Sequence, residues 1–119
     1  MAAVVGPEVI AGSTRMKAGT AQKLILNTIS TVSMVRLGKT FGNLMVDLVA
    51  GNAKLRARAR RAVALATRAS DEEVEAALEA ADGDAKVAIV SLLSGLDAQG
   101  ARSRLEAAGG VVRRSLDER

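Results

Sequence analysis

The sequence predicts a mostly α chain in two parts, and three observations predict it. Residues 20–37 carry only two charges, Lys23 and Arg36, in a run of Leu, Ile, Val and Met long enough for a helix of about five turns. From Ser70 onward, residues that open helices (Ser70, Asp84, Asp97) alternate with glycines that end them (Gly83, Gly95, then Gly109-Gly110). The charge also changes sign between the two parts. Residues 1–69 hold eleven Lys and Arg against Glu8 and Asp47, a net +9, whereas residues 70–119 hold six against eleven acids, a net −5. A basic half before an acidic half suits either nucleic-acid binding by the first or two parts that dock on each other or on a partner chain, and the acids that follow at once favour docking.

The elements follow in order. Val4 and Val5, broken by Gly6-Pro7, read as the end of a strand. A turn rich in Gly, Ser, Thr and basic residues comes next, and it leads into a helix predicted over Thr20–Leu37. That helix is apolar around most of its circumference and expects burial on several sides. Gly38 suits a left-handed cap after it. Phe41 to Val49 is a short strand or an extended connection, with Leu44, Val46 and Leu48 on one alternate face and Met45 and Val49 on the other.

Asn52 caps a helix predicted to about Ala69, with the stripe Leu55, Ala59, Ala62, Val63 and Ala66. Lys54, Arg58, Arg61 and Arg68 flank one side of it, and Arg56 and Arg60 the other. These cations are either a solvated face or contacts for phosphate. Ser70 with Glu73 forms a capping box that opens a helix over Asp71–Asp82, facing inward with Val74, Ala77, Leu78 and Ala81. Asp84 opens the next, with Val87, Ile89, Val90, Leu92 and Leu93, and Asp97 caps a third over Ala98–Ala108. A last short helix is predicted over Val111–Leu116. At the level of fold, the three short helices resemble a ubiquitin-associated-like bundle.

Composition narrows the chemistry. A chain of 119 residues fits one domain, or the end of one plus a small second one. With no cysteine and no histidine, disulfides, thiolate zinc sites and imidazole acid–base catalysis are excluded. Phe41 as the sole aromatic residue argues against base stacking on nucleic acid. The apolar start is too short for a secretion signal, and no window reaches a membrane span, so a cytoplasmic protein without membrane contact is expected.

The most informative stretch is the eighteen residues Gly6 to Lys23, GPEVIAGSTRMKAGTAQK. A strand end, a Gly/Ser/Thr/basic turn and a helix N-terminus make a good geometry for an anionic sugar or phosphate. Such turns also cap helices with no ligand. The run resembles the signature of N-acetylmuramic acid 6-phosphate etherases and the related glucokinase regulatory proteins across all eighteen positions. The similarity continues through Leu37-Gly38-Lys39, Gly42-Asn43-Leu44-Met45-Val46-Asp47 and Asn52-Ala53-Lys54-Leu55, and is followable to about Leu116. Two positions depart from it: Gly51 stands where threonine is usual, and Phe41 where tyrosine is common.

The resemblance implies the C-terminal end of a sugar isomerase (SIS-type) α/β domain over residues 1–69, followed by a small helical bundle over 70–119. It implies a carbon–oxygen lyase of amino-sugar metabolism and peptidoglycan recycling. That enzyme cleaves the lactyl ether to give N-acetylglucosamine 6-phosphate and D-lactate, with no cofactor and no metal, as a homodimer. The chain reads as only the C-terminal part of such an enzyme. The family's catalytic glutamates belong upstream, so no catalytic residue is assigned here. Ser13, Thr14, Arg15 and Lys17 are the candidate substrate-binding residues: the two cations for negative charge, the hydroxyls for a phosphate or a sugar hydroxyl. Ser13 and Thr14 equally suit helix capping or a subunit contact. Glu8 anchors the turn, pairs with Arg15 or Lys17, or takes part in chemistry. A non-catalytic sugar-phosphate-binding regulatory or interaction module is the alternative function.

Overall fold

The computed structural model describes residues 2–117 and divides the chain into two compact units, residues 1–36 and 37–119. The first unit consists of an extended start, the Gly-rich turn and helix α1, Lys17–Arg36. Val4 and Val5 form no strand: Gly6 turns the chain into the left-handed region at φ +75° and Pro7 has no amide to donate. The helix begins three residues before the predicted Thr20, because its cap comes from further back in sequence, as described below. Burial expected from its composition is not met within the chain. None of its residues is buried, and Leu24, Leu26 and Ile29 are each more than half exposed.

The second unit opens with Gly38 at φ +69°, the left-handed stop predicted after the helix. Two short strands, β1 (Thr40–Phe41) and β2 (Leu44–Met45), pair antiparallel around the Gly42-Asn43 turn, with Thr40 opposite Met45 and Phe41 opposite Leu44. Alternation then decides the faces: Val46 and Leu48 are buried, while Met45 and Val49 are exposed.

Five helices complete the unit: α2 (Ala53–Thr67), α3 (Asp71–Ala80), α4 (Ala85–Ser94), α5 (Ala98–Ala107) and α6 (Val112–Asp117). The caps read from sequence are formed. Asn52 accepts the Leu55 amide, Ser70 and Glu73 close a reciprocal capping box, Asp84 accepts from Lys86 and Val87, and Asp97 accepts from Gly100. Each cap satisfies amides that the first helical turn leaves without partners. Arg68, a non-glycine residue at φ +58°, ends α2.

Helix α4 is the axis of this unit. Ala85, Val87, Ala88, Ile89 and Val90 are all buried, and α2, α3, α5 and α6 pack around them. Ala59, Ala62 and Val63 come in from α2, Val74 and Leu78 from α3, Ala101 and Leu105 from α5, and Val112 from α6. The core is aliphatic and rich in alanine, so the helices approach closely and bury modest area per residue.

Candidate functional site

The Gly-rich turn of the first unit is built around one carboxylate. Glu8 Oε1 accepts the backbone amides of Lys17 and Ala18, both at 3.1 Å, and Oε2 accepts the Lys17 amide at 3.2 Å. These are the first amides of α1, where helical geometry offers no internal acceptor and the helix dipole favours negative charge. Glu8 therefore anchors the turn through main-chain donors rather than through the side chains of Arg15 or Lys17. It also occupies the position at the helix terminus where the sequence pattern points to an external anion.

Between Glu8 and Lys17 the chain folds on itself in small steps. The Ser13 amide donates to the Ile10 carbonyl at 3.0 Å, and the Arg15 amide donates to Ser13 Oγ at 3.3 Å. The Gly19 amide donates to the Thr14 carbonyl at 2.8 Å. A methyl group on Gly19 would stand 3.2 Å from that same oxygen, so the close approach favours glycine there. Gly12, at φ +84°, supplies the left-handed bend that starts the Ser13–Lys17 arc.

All four candidate binding residues lie in this arc. Ser13 is half-buried, and Thr14, Arg15 and Lys17 are exposed. Ser13 Oγ is engaged as an acceptor, which leaves its proton available to donate. Among the described residues, the Thr14 hydroxyl, the Arg15 guanidinium and the Lys17 ammonium have no hydrogen-bond or ion-pair partner. The arc thus displays two cations and two hydroxyls, and its Ser13, Arg15 and Lys17 amides already have acceptors. Gln22 and Lys23, one turn further along α1, are exposed as well.

Other polar features of the chain lie in the second unit. On α2 and at its C-cap, Lys54, Arg58, Arg61 and Arg68 are exposed, whereas Arg60 pairs with Glu75 of α3 at 2.9 Å. An open groove of about 410 Å³ is lined by Arg56, Glu75, Glu79 and Asp82 over a floor that includes Leu78. Among the described residues, no helix is long and apolar enough to cross a membrane.

No protein-family model matches the chain. Curated relatives match nearly all of it. An N-acetylmuramic acid 6-phosphate etherase of Rubrobacter xylanophilus is 67% identical over 115 residues, covering 97% of this chain and 38% of that protein. This chain matches the C-terminal part of the N-acetylmuramic acid 6-phosphate etherases. Etherases of Streptomyces avermitilis and Aliivibrio fischeri extend the comparison, at 61% identity over 95% of the chain and 52% over 99%. The chain spans somewhat over a third of the length of these etherases (36% and 39% in these two) and matches their C-terminal part. The Gly6–Lys23 arc and the Lys39–Asp47 segment both lie within the matched portion of the etherase family.

The role of Glu8 is the part of this site that sequence reasoning left open. Its partners are backbone amides nine and ten positions on, and a cap that distant has no local signature like Ser70-x-x-Glu73. The glycines on either side of it, Gly6 and Gly12, are the only local hint that the chain turns back on itself.

Proposed function

We infer that this chain forms the C-terminal portion of an N-acetylmuramic acid 6-phosphate etherase, a cytoplasmic lyase of peptidoglycan recycling. The single observation that carries the reading is the 52–67% identity to etherases over at least 95% of the chain. The reaction converts N-acetylmuramic acid 6-phosphate and water into N-acetylglucosamine 6-phosphate and D-lactate. It proceeds by elimination of lactate followed by addition of water, and both steps need an acid and a base at the carbon skeleton. Those groups are assigned to the upstream part of the enzyme, and this chain completes the pocket.

In that reading residues 1–69 are the end of the SIS-type α/β domain and residues 70–119 the ubiquitin-associated-like bundle. Ser13, Thr14, Arg15 and Lys17 contact the sugar phosphate. The two unpaired cations hold its negative charge, and the hydroxyls donate to phosphate or ring oxygens. Because Glu8 already caps α1, recognition by side chains replaces recognition by free helix amides. The exposed apolar residues of α1 support its assignment as the contact with the rest of the enzyme and with a second subunit of a homodimer. No observation favours the non-catalytic module.

The test is a titration of the chain with N-acetylmuramic acid 6-phosphate, followed by backbone amide NMR. Shifts confined to Gly12–Lys23 are expected. Shifts elsewhere only, or none at saturating sugar phosphate, would remove the arc from the pocket.

A further inference from the structure

Three charged side chains outside the Gly6–Lys23 stretch meet at one point of the second unit. Asp47 sits between the buried residues Val46 and Leu48 and, by strand alternation, faces away from them. Each of its carboxylate oxygens takes a lysine: Lys39 Nζ on Oδ2 and Lys86 Nζ on Oδ1, the latter at 3.0 Å. Lys86 Nζ donates in addition to the Gly110 carbonyl at 3.0 Å, and its side chain is only 11% exposed. One nearly buried ammonium therefore joins the start of α4, the turn between α5 and α6, and the segment around the β1–β2 hairpin.

The same segment meets the same helices through its backbone. The Ala85 amide donates to the Leu48 carbonyl at 3.1 Å, the Ala50 amide donates to the Gly83 carbonyl at 3.2 Å, and Val49 forms an antiparallel bridge with Asp84. At its other end Gly38 lies against Val111, where an added methyl would stand 2.7 Å from Cγ2. Lys39 and Asp47 belong to the motifs LGK and GNLMVD, for which the substrate arc provides no role.

We propose that Lys39, Asp47 and Lys86 form an electrostatic latch that fastens residues 37–50 to the helical bundle, making segment and bundle one moving body. Both ammonium groups are directed at Asp47, and Lys86 also at Gly110, so the cluster is satisfied internally and is not an anion site. Removing the carboxylate leaves a nearly buried lysine without its counter-ion, which costs more than the pair itself is worth. The consequence for the enzyme rests on the reading given under Proposed function. There, residues 37–50 belong to the sugar-phosphate domain, and the latch couples the bundle to the end of that domain. The bundle is then a fixed appendix rather than a module on a flexible tether.

Amide hydrogen exchange on the full chain, without sugar phosphate, tests the latch separately from the substrate reading. In Asp47→Asn the amides of Val46, Ala50 and Ala85 are expected to exchange roughly tenfold faster or more, while Ala101 and Leu105 of α5 keep their rates. Lys39→Gln, which leaves the Lys86 contacts in place, is expected to accelerate the same three amides by a smaller factor. It also carries the test if Asp47→Asn does not fold. Unchanged rates at the three amides, or equal acceleration throughout the unit, overturns the latch.

Discussion

The carboxylate of Glu8 grips the backbone amide of Lys17 with both oxygens, at 3.1 and 3.2 Å. That contact starts helix α1 and closes the arc carrying Ser13, Thr14 and Arg15. Replacing Glu8 by alanine leaves the amides of Lys17 and Ala18 to water, at a cost of about 1 kcal/mol typical of a lost helix cap. Glu8→Gln keeps one acceptor oxygen and is expected to lose less. Amide exchange at Lys17 and Ala18 is the measurement: faster in Glu8→Ala, intermediate in Glu8→Gln. Equal rates in all three proteins would show that the carboxylate does not hold the arc.

If the arc binds a sugar phosphate as proposed, the helix terminus is already occupied by Glu8 and affinity depends on side chains. Arg15→Ala and Lys17→Ala are each expected to weaken binding of N-acetylmuramic acid 6-phosphate about tenfold, the scale of one charge-assisted contact. Calorimetric titration of the chain and its variants measures this. Arg15→Lys separates charge from geometry: a loss nearly as large as that of Arg15→Ala indicates bidentate recognition by the guanidinium. If neither alanine variant changes the affinity, the two cations are solvent-facing and the pocket lies elsewhere.

The helical bundle was legible because its signals are local. Ser70 with Glu73, Asp84 before Val87, and Asp97 before Gly100 all act within one helical turn, and each forms as read. The alternation of Val46 and Leu48 against Met45 and Val49 is equally local and equally reliable. What sequence concealed depends on partners distant along the chain. Glu8 moves the start of α1 from Thr20 to Lys17, and Lys86 reaches back to Asp47 from another helix. Val4 and Val5 show the opposite failure: β-branched residues raise strand propensity, but a strand needs a neighbour to pair with. Among the described residues none pairs with them.

Gly38 illustrates how one backbone position joins both ends of the second unit. Its φ of +69° already disfavours any side chain, and a methyl group there meets Val111 Cγ2 at 2.7 Å. Gly42, at φ +59°, has the same conformational demand with open space around it. Gly42→Ala should therefore cost about 1 kcal/mol from backbone strain alone, and Gly38→Ala about 2–4 kcal/mol once overpacking is added. Denaturant unfolding of the two variants distinguishes these costs. Equal midpoints would mean that Val111 yields freely and that the contact has little weight.

The latch also predicts how stability responds to acid. The hydrogen bond from Lys39 holds the Asp47 carboxyl below the ordinary aspartate range; partial burial opposes this, and Lys86 reinforces it. Lys39 from the hairpin segment and Lys86 from α4 are the charged groups that face it. A native pKa below the unfolded one means that the unfolded chain binds more protons in acid. The stabilisation is therefore complete above about pH 4 and is lost as the pH falls through the depressed native value. Glu73, lowered by its hydrogen bonds from Ser70, adds a contribution of the same sign, so the whole chain weakens in acid for more than one reason. Comparing the native chain with Asp47→Asn isolates the latch, because Glu73 is common to both. The difference in unfolding free energy between the two proteins should be constant from about pH 7 to pH 5 and shrink from about pH 4 to pH 2. A difference that stays constant down to pH 2 would mean that Asp47 gains nothing from its two lysines.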